Sequence, residues 1–155
     1  MTLVEQRTVI EQTMTAAPGI VAMLDRYADS TNTPIDSASM PGFFVARTGR
    51  ASHEEVGSDR FTTRLWVVWV ACGEIESGTD TSKQEADDLA EEMLEPIIKH
   101  LFQNLKANFR EANMEVQGIT IRDDGVKEYQ RGLKRYSALP ILVDIASNSQ
   151  IWSET

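Results

Sequence analysis

Cysteine is almost missing: Cys72 is the only one in 155 residues, so neither an intramolecular disulfide nor a zinc site built from several thiolates can form. This fits an intracellular or virion protein and excludes a secreted mini-domain stapled by disulfides. Histidine is nearly as scarce, and His53 and His100 stand far apart with no His-Glu-x-x-His motif. Positive charge is in deficit, with 15 Lys and Arg against 24 Asp and Glu and a net charge of -9. Affinity for phosphates comes from clustered cations that release counterions, so this balance argues against a grip on nucleic acid or an anionic membrane. Long apolar runs are lacking too. The longest, Leu65 to Cys72, falls far below the roughly 20 residues that span a bilayer, and the polar start Met1 to Arg7 does not suit a signal peptide. The protein is therefore expected to be soluble where it is made. Glycine-rich phosphate loops, Gly-x-Ser-x-Gly elbows, internal repeats and low-complexity tracts are all missing. The length suits one domain over residues 1–155.

What is present begins with the run Leu65-Trp-Val-Val-Trp-Val-Ala-Cys72. Read as a strand, it points Leu65, Val67, Trp69 and Ala71 to one side and Trp66, Val68, Val70 and Cys72 to the other, so both faces must leave water. A helix covers only one of them; the rest of the domain or a neighbouring subunit has to cover the second. That helix is predicted from Ser82 to Phe109. Ala86, Leu89, Ala90, Met93, Leu94, Ile97, Ile98, Leu101, Phe102, Leu105 and Phe109 follow three-and-four spacing. Ser82 and Glu85 offer a capping box, Pro96 a kink, and acids crowd the first half while Lys99, His100, Lys106 and Arg110 occupy the second.

Thr2 and Glu5 form a capping box for a leading helix with Leu3, Val4, Val9, Ile10 and Met14 on its stripe, ending near Pro18-Gly19. Residues 20–27 suit a helix or a strand equally. A polar stretch from Asp29 to Gly42 precedes a strand at Phe43 to Arg47, and Thr48 to Asp59 reads as a polar surface loop. After the long helix come a strand at Val116 to Arg122, a turn at Asp123-Asp124-Gly125, and a strand at Ser137 to Ala146. In that last strand Pro140 argues for an edge position or a bulge. The order predicts an α+β fold: a mostly antiparallel sheet packed against one long amphipathic helix, with an additional N-terminal helix.

Residues able to do chemistry have plainer roles. His53 beside Glu54 and Glu55 reads as a solvated loop histidine, and His100 as a helix-end cation. The acids Glu74, Glu76 and Asp80 fail the spacing of a calcium loop, because Gly73 and Gln84 fall at its first and last ligand positions. Cys72 suits a small core hydrophobe, and Asp123-Asp124-Gly125 a tight turn. No catalytic residue, cofactor or metal ligand is expected, and the chain is not read as an enzyme.

The leading helix closed by Ala17-Pro-Gly-Ile20, the strands Phe43 to Arg47 and Arg64 to Val70, the long helix from Asp87 to Leu105, and the late Ala138-Leu-Pro-Ile-Leu-Val-Asp144 come in a telling order. In this order the whole chain resembles a phage tail terminator protein of long-tailed phages. The resemblance implies a ring, typically a hexamer, at the head-proximal end of the virion tail, assembled in the host cytoplasm. Such a ring caps the tail tube, stops its polymerisation and offers the surface on which the head docks. Its implied partners are further copies of itself, the tail tube protein, a sheath protein in a contractile tail, and a head-completion protein. DNA is only passing cargo in the lumen, which negative charge suits, and no membrane is involved. The resemblance favours the strand reading of residues 20–27. For the contacts of the ring, Arg47, Arg50 and Arg60 are expected to present cations, Asp123, Asp124 and Glu128 acids, and Trp152 an aromatic anchor. Rival readings are another tail-assembly or head-tail completion component, and a small-ligand-binding protein or enzyme with His53 at the mouth of a cavity.

Overall fold

The computed structural model describes residues 2–24, 34–76 and 80–148. Helix α1, Leu3–Thr15, starts on the expected capping box. The Glu5 amide donates to Thr2 Oγ1 at 3.1 Å and the Thr2 amide to a Glu5 carboxylate oxygen at 3.0 Å. Its buried side holds Gln6, Val9, Ile10, Thr13 and Met14, while Val4 is exposed. A two-residue strand β1, Ala22–Met23, then pairs in parallel with β2, Gly42–Val56. Of the ambiguous stretch 20–27, this part is strand, and residues 25–27 lie outside the described residues.

Strand β2 turns at Gly57-Ser58 into β3, Asp59–Ile75, giving a hairpin whose ladder runs from Gly42 opposite Ala71 to Val56 opposite Asp59. This corrects the expected loop at Thr48 to Asp59. Nearly all of that stretch is strand, and it hid because its outer part has no helix over it and so no apolar face for periodicity to reveal. A bulge at residues 48–50 interrupts the pairing, with Gly49 at φ +76°, a conformation that glycine takes without a Cβ clash.

Helix α2, Asp80–Glu111, begins earlier than the sequence suggested. Ser82 is therefore no cap. Its hydroxyl accepts from the Glu76 amide at 2.8 Å and donates to the Glu74 carbonyl at 3.3 Å, which fastens the helix to the end of β3. Close approach is needed there, since a Cβ on Gly73 would stand 3.2 Å from that of Ala86. The buried stripe is Ala86, Ala90, Met93, Ile97, Leu101, Leu105 and Phe109, and the helix runs through Pro96. Leu89 and Phe102, expected on that stripe, fall on its flanks at 38% and 61% exposure.

The remaining strands are β4, Val116–Asp123, β5, Lys127–Arg131, and β6, Lys134–Asn148. They complete a six-stranded sheet in the order β1-β2-β3-β6-β4, with β5 also on β6 and every pairing except β1 with β2 antiparallel. Pro140 is not on an edge strand, because β6 is flanked by β3 on one side and by β4 and β5 on the other. It fits because β4 and β5 are consecutive pieces along one side of β6, and Pro140 faces the interruption between them. Its carbonyl accepts from the Asp124 amide at 3.2 Å, and the N–H it lacks would point into that same gap. Strand β5 was not foreseen, having only Tyr129 as an apolar signal.

Both helices lie on one face of the sheet. There Phe43, Val45, Trp66, Val68, Val70, Cys72, Leu139, Ile141, Val143 and Ile145 join the α1 and α2 stripes in one apolar cluster. Trp66, fully buried, donates its indole N–H to the Gln6 side chain at 3.0 Å, so the deepest polar groups satisfy each other. The fold is thus the expected α+β arrangement.

Two outcomes follow. Leu101→Ala should cost about 2–5 kcal/mol in urea unfolding, and Phe102→Ala less than about 1, because only the first leaves a cavity. Asp87 on α2 accepts a hydrogen bond from the buried Ser137 on β6. Partial burial pushes the Asp87 carboxyl up, but the Ser137 hydrogen bond and the nearby Lys83 outweigh it and hold the carboxyl below its ordinary 3.8. A depressed carboxylate stabilises the fold above that value and loses the contribution as pH falls. Ser137→Ala should therefore cost about 1 kcal/mol near neutral pH, with the gap to wild type narrowing below pH 3.8 in pH-dependent urea melts.

Candidate functional site

The second face of β3 is only partly covered. At one end Leu24, Ile35, Phe44, Ala71 and Tyr136 form a small apolar cluster, held by the Ile35 amide donating to the Tyr136 hydroxyl at 2.9 Å. Tyr129 closes this end, stacking on Trp69 at 5.7 Å and Phe44 at 5.8 Å, and the Arg131 guanidinium lies 5.6 Å over the Phe44 ring. Toward the hairpin, Leu65, Val67 and Leu142 are half-buried and belong to neither cluster. The requirement read from the sequence is thus met by a cluster of the chain itself at one end, while at the other Leu65, Val67 and Leu142 stay half-buried among the described residues.

Beyond this face the hairpin continues as an arm. Among the described residues β6 accompanies β3 as far as Asn148 opposite Phe61, and every residue from Ala51 to Arg60 is exposed. Only the tip, Glu55 to Arg60, is two-stranded among the described residues, and a bare hairpin end of this kind is marginal in water.

The structure separates the expected contact residues. Arg47 and Arg50 come together at the base of the arm, where with Arg64 they rim a cleft of about 230 Å³ that also contains Leu3, Leu65 and Trp66. Arg60 sits near the arm tip, 3.9 Å from Glu55. The acids gather three strands away, at the break between β4 and β5. Asp123 accepts from the Gly125 amide at 3.2 Å, Asp124 pairs with Lys127 at 3.8 Å, and Glu128 pairs with Arg135 at 2.7 Å. Cations and acids thus stand near opposite edges of the sheet, and two of the three acids are already matched within the chain. Trp152 lies outside the described residues.

Sequence reasoning missed Arg64, whose even position on β3 puts it on the same side as Trp66 and Arg47 once the register is known. It also read the acids of α2 only as partners of the helix dipole. Among them Glu85, Asp88, Glu91, Glu92 and Glu95 are exposed and form no ion pair among the described residues.

The histidines change role. His53 is on β2, with Nδ1 2.9 Å from the Thr62 hydroxyl, and so is not in a loop. His100 is a tie between helices. Its Nε2–H donates to the Thr13 carbonyl at 2.8 Å, and Nδ1 lies 3.2 Å from the Asn104 side-chain amide nitrogen. Asn108 reinforces the tie by donating to Thr13 Oγ1 at 2.8 Å.

Three open surface clefts, of 430–480 Å³, are lined by residues between Lys106 and Val116, by Glu5 with Ala112 to Glu115, Ser147 and Asn148, and by residues between Gly73 and Leu89. Neither group with a shifted pKa, Cys72 or Asp87, lines any of them. No three metal-ligating side chains converge among the described residues. Likewise no described helix is long and apolar enough to cross a membrane. Burial pushes the Cys72 thiol from 9.0 up to about 12, so it holds its proton and is inert. Maleimide should leave Cys72 unmodified in the folded protein and label it fully in denaturant; rapid labelling of the native protein would contradict its place in the core. Compared with known proteins, the chain matches no protein-family model and no curated protein sequence.

Proposed function

We propose that this protein is a structural component of the phage virion, a tail terminator that assembles as a ring, caps the tail tube, halts its polymerisation and presents the surface on which the head docks. The observation that carries the reading is the arm formed by β2 and β3, exposed over its outer length beside a sheet face that is apolar and half covered. A monomer gains little from holding an exposed hairpin tip in water beside the half-buried Leu65, Val67 and Leu142; a subunit that lays it on its neighbour does gain.

Charge supports the same reading. A net charge of -9 suits a lumen through which DNA slides without sticking. Separation of cations from acids on different parts of the sheet also suits a contact between unlike surfaces, the kind that closes rings rather than symmetric pairs. On this reading the partners are further copies of the chain, the tail tube protein, the sheath protein of a contractile tail and a head-completion protein. Its place is then the head-proximal end of the tail, after assembly in the host cytoplasm.

Light scattering on a sizing column, with negative-stain images of the same peak, tests the reading. Rings of about six subunits with an open lumen are expected. A monomer at all concentrations, alone and with the tube protein added, would overturn it.

A further inference from the structure

The arm base and the first turns of α2 carry complementary surfaces at opposite ends of the molecule. In the arm-base cleft, Arg47, Arg50 and Arg64 stand around the half-buried Leu3. None of the three arginines has an ion pair among the described residues, whereas Lys83, Arg122, Lys127, Lys134 and Arg135 are each within 4 Å of a carboxylate. On α2 the exposed Leu89 has Glu85, Asp88 and Glu92 around it, one helical turn or less away, and these acids are likewise unpaired among the described residues.

We propose that the ring contact is the insertion of Leu89, with its collar of Glu85, Asp88 and Glu92, into the Arg47, Arg50 and Arg64 cleft of the next copy. The proposal rests on the ring reading above and names its interface. Self-insertion is excluded by distance: the cleft is at Arg64 on β3, Leu89 packs near Gly73, and these positions are roughly 30 Å apart along the strand. The occupant is a second copy rather than nucleic acid, because a net charge of -9 repels a polyanion as a whole, while this same chain carries an acidic ridge to meet the arginines. A part-exposed leucine with acids around it meets the arginines with charge and Leu3 with an apolar side chain. Knob and cleft are different surfaces, so each copy offers one to each neighbour, and the contact propagates in one direction until rotation closes it. The arginines choose and orient the partner among chains that otherwise repel one another, while Leu89 against Leu3 excludes water.

Charge reversal tests this with a built-in rescue. One variant carries Arg50→Glu and Arg64→Glu; the other carries Glu85→Arg, Asp88→Arg and Glu92→Arg; circular dichroism confirms that each is folded. Either alone should need more than about a tenfold higher concentration to form rings, as judged by light scattering. Mixed in equal amounts they should restore rings in which the two alternate, because each cleft again meets an opposite ridge. Leu89→Asp, a change at an exposed position, should weaken assembly without unfolding the chain. Rings from either charge variant alone at wild-type concentrations would overturn the interface while leaving the ring reading intact. So would failure of the mixture to assemble when wild type does. A wild-type protein that stays monomeric with the tube protein present would remove the ring reading and this contact together.

Discussion

Burial of Trp66, Val68, Val70 and Cys72 under α2 determines where every other element has to go. One strand with two apolar faces forces a two-sided solution, and the chain has enough helix for one side only. The helix side holds the main core, with α1 clamped to α2 by His100 and Asn108 and to β3 by the Gln6 and Trp66 hydrogen bond. The other side is assembled from scraps: Ile35 and Met40 from a loop, Leu24 beside β1, and Tyr129 from β5. These reach only part of the length of β3, which leaves the stretch from Leu65 to Val67 half-buried.

Charge follows the same division. The outward side of α2 bears acids in its first half, while Arg47, Arg50 and Arg64, without ion pairs among the described residues, gather on the hairpin near the start of α1. Exposed ion pairs within a chain add little stability, typically about 0–1 kcal/mol, so this separation has small value for folding. Its worth is in association, where unlike surfaces speed encounter and reject wrong orientations. The ring reading gives that otherwise idle pattern a use.

How far the sequence was legible depended on apolar contrast. Helix α2 and the core part of β3 were plain because their patterns run over many residues, and α1 was betrayed by Thr2 and Glu5. The arm was not, since Thr48 to Val56 is polar on both sides and its strand character comes only from the partner ladder. Pro140 misled for a related reason. The rule that proline avoids central strands assumes an unbroken neighbour, and the gap between β4 and β5 is invisible until register is known. The candidate site was half legible: Arg47 and Arg50 stood out as cations, but that they share a cleft with Arg64 follows from pairing across β2 and β3. Ser82 shows how a correct motif can serve another end, tying helix to strand instead of starting the helix.

The interruption between β4 and β5 also bears on how such a chain avoids fibrous aggregation. A straight outer strand beside β6 would expose a continuous row of amide and carbonyl groups, a template on which sheets add without limit. Here the row is cut at Asp124 to Val126, and on either side of the cut it carries the charges of Arg122, Asp123, Lys127 and Glu128. Backbone-to-backbone growth is thereby discouraged along that border, which leaves association to side chains, whose fit ends when each surface is filled.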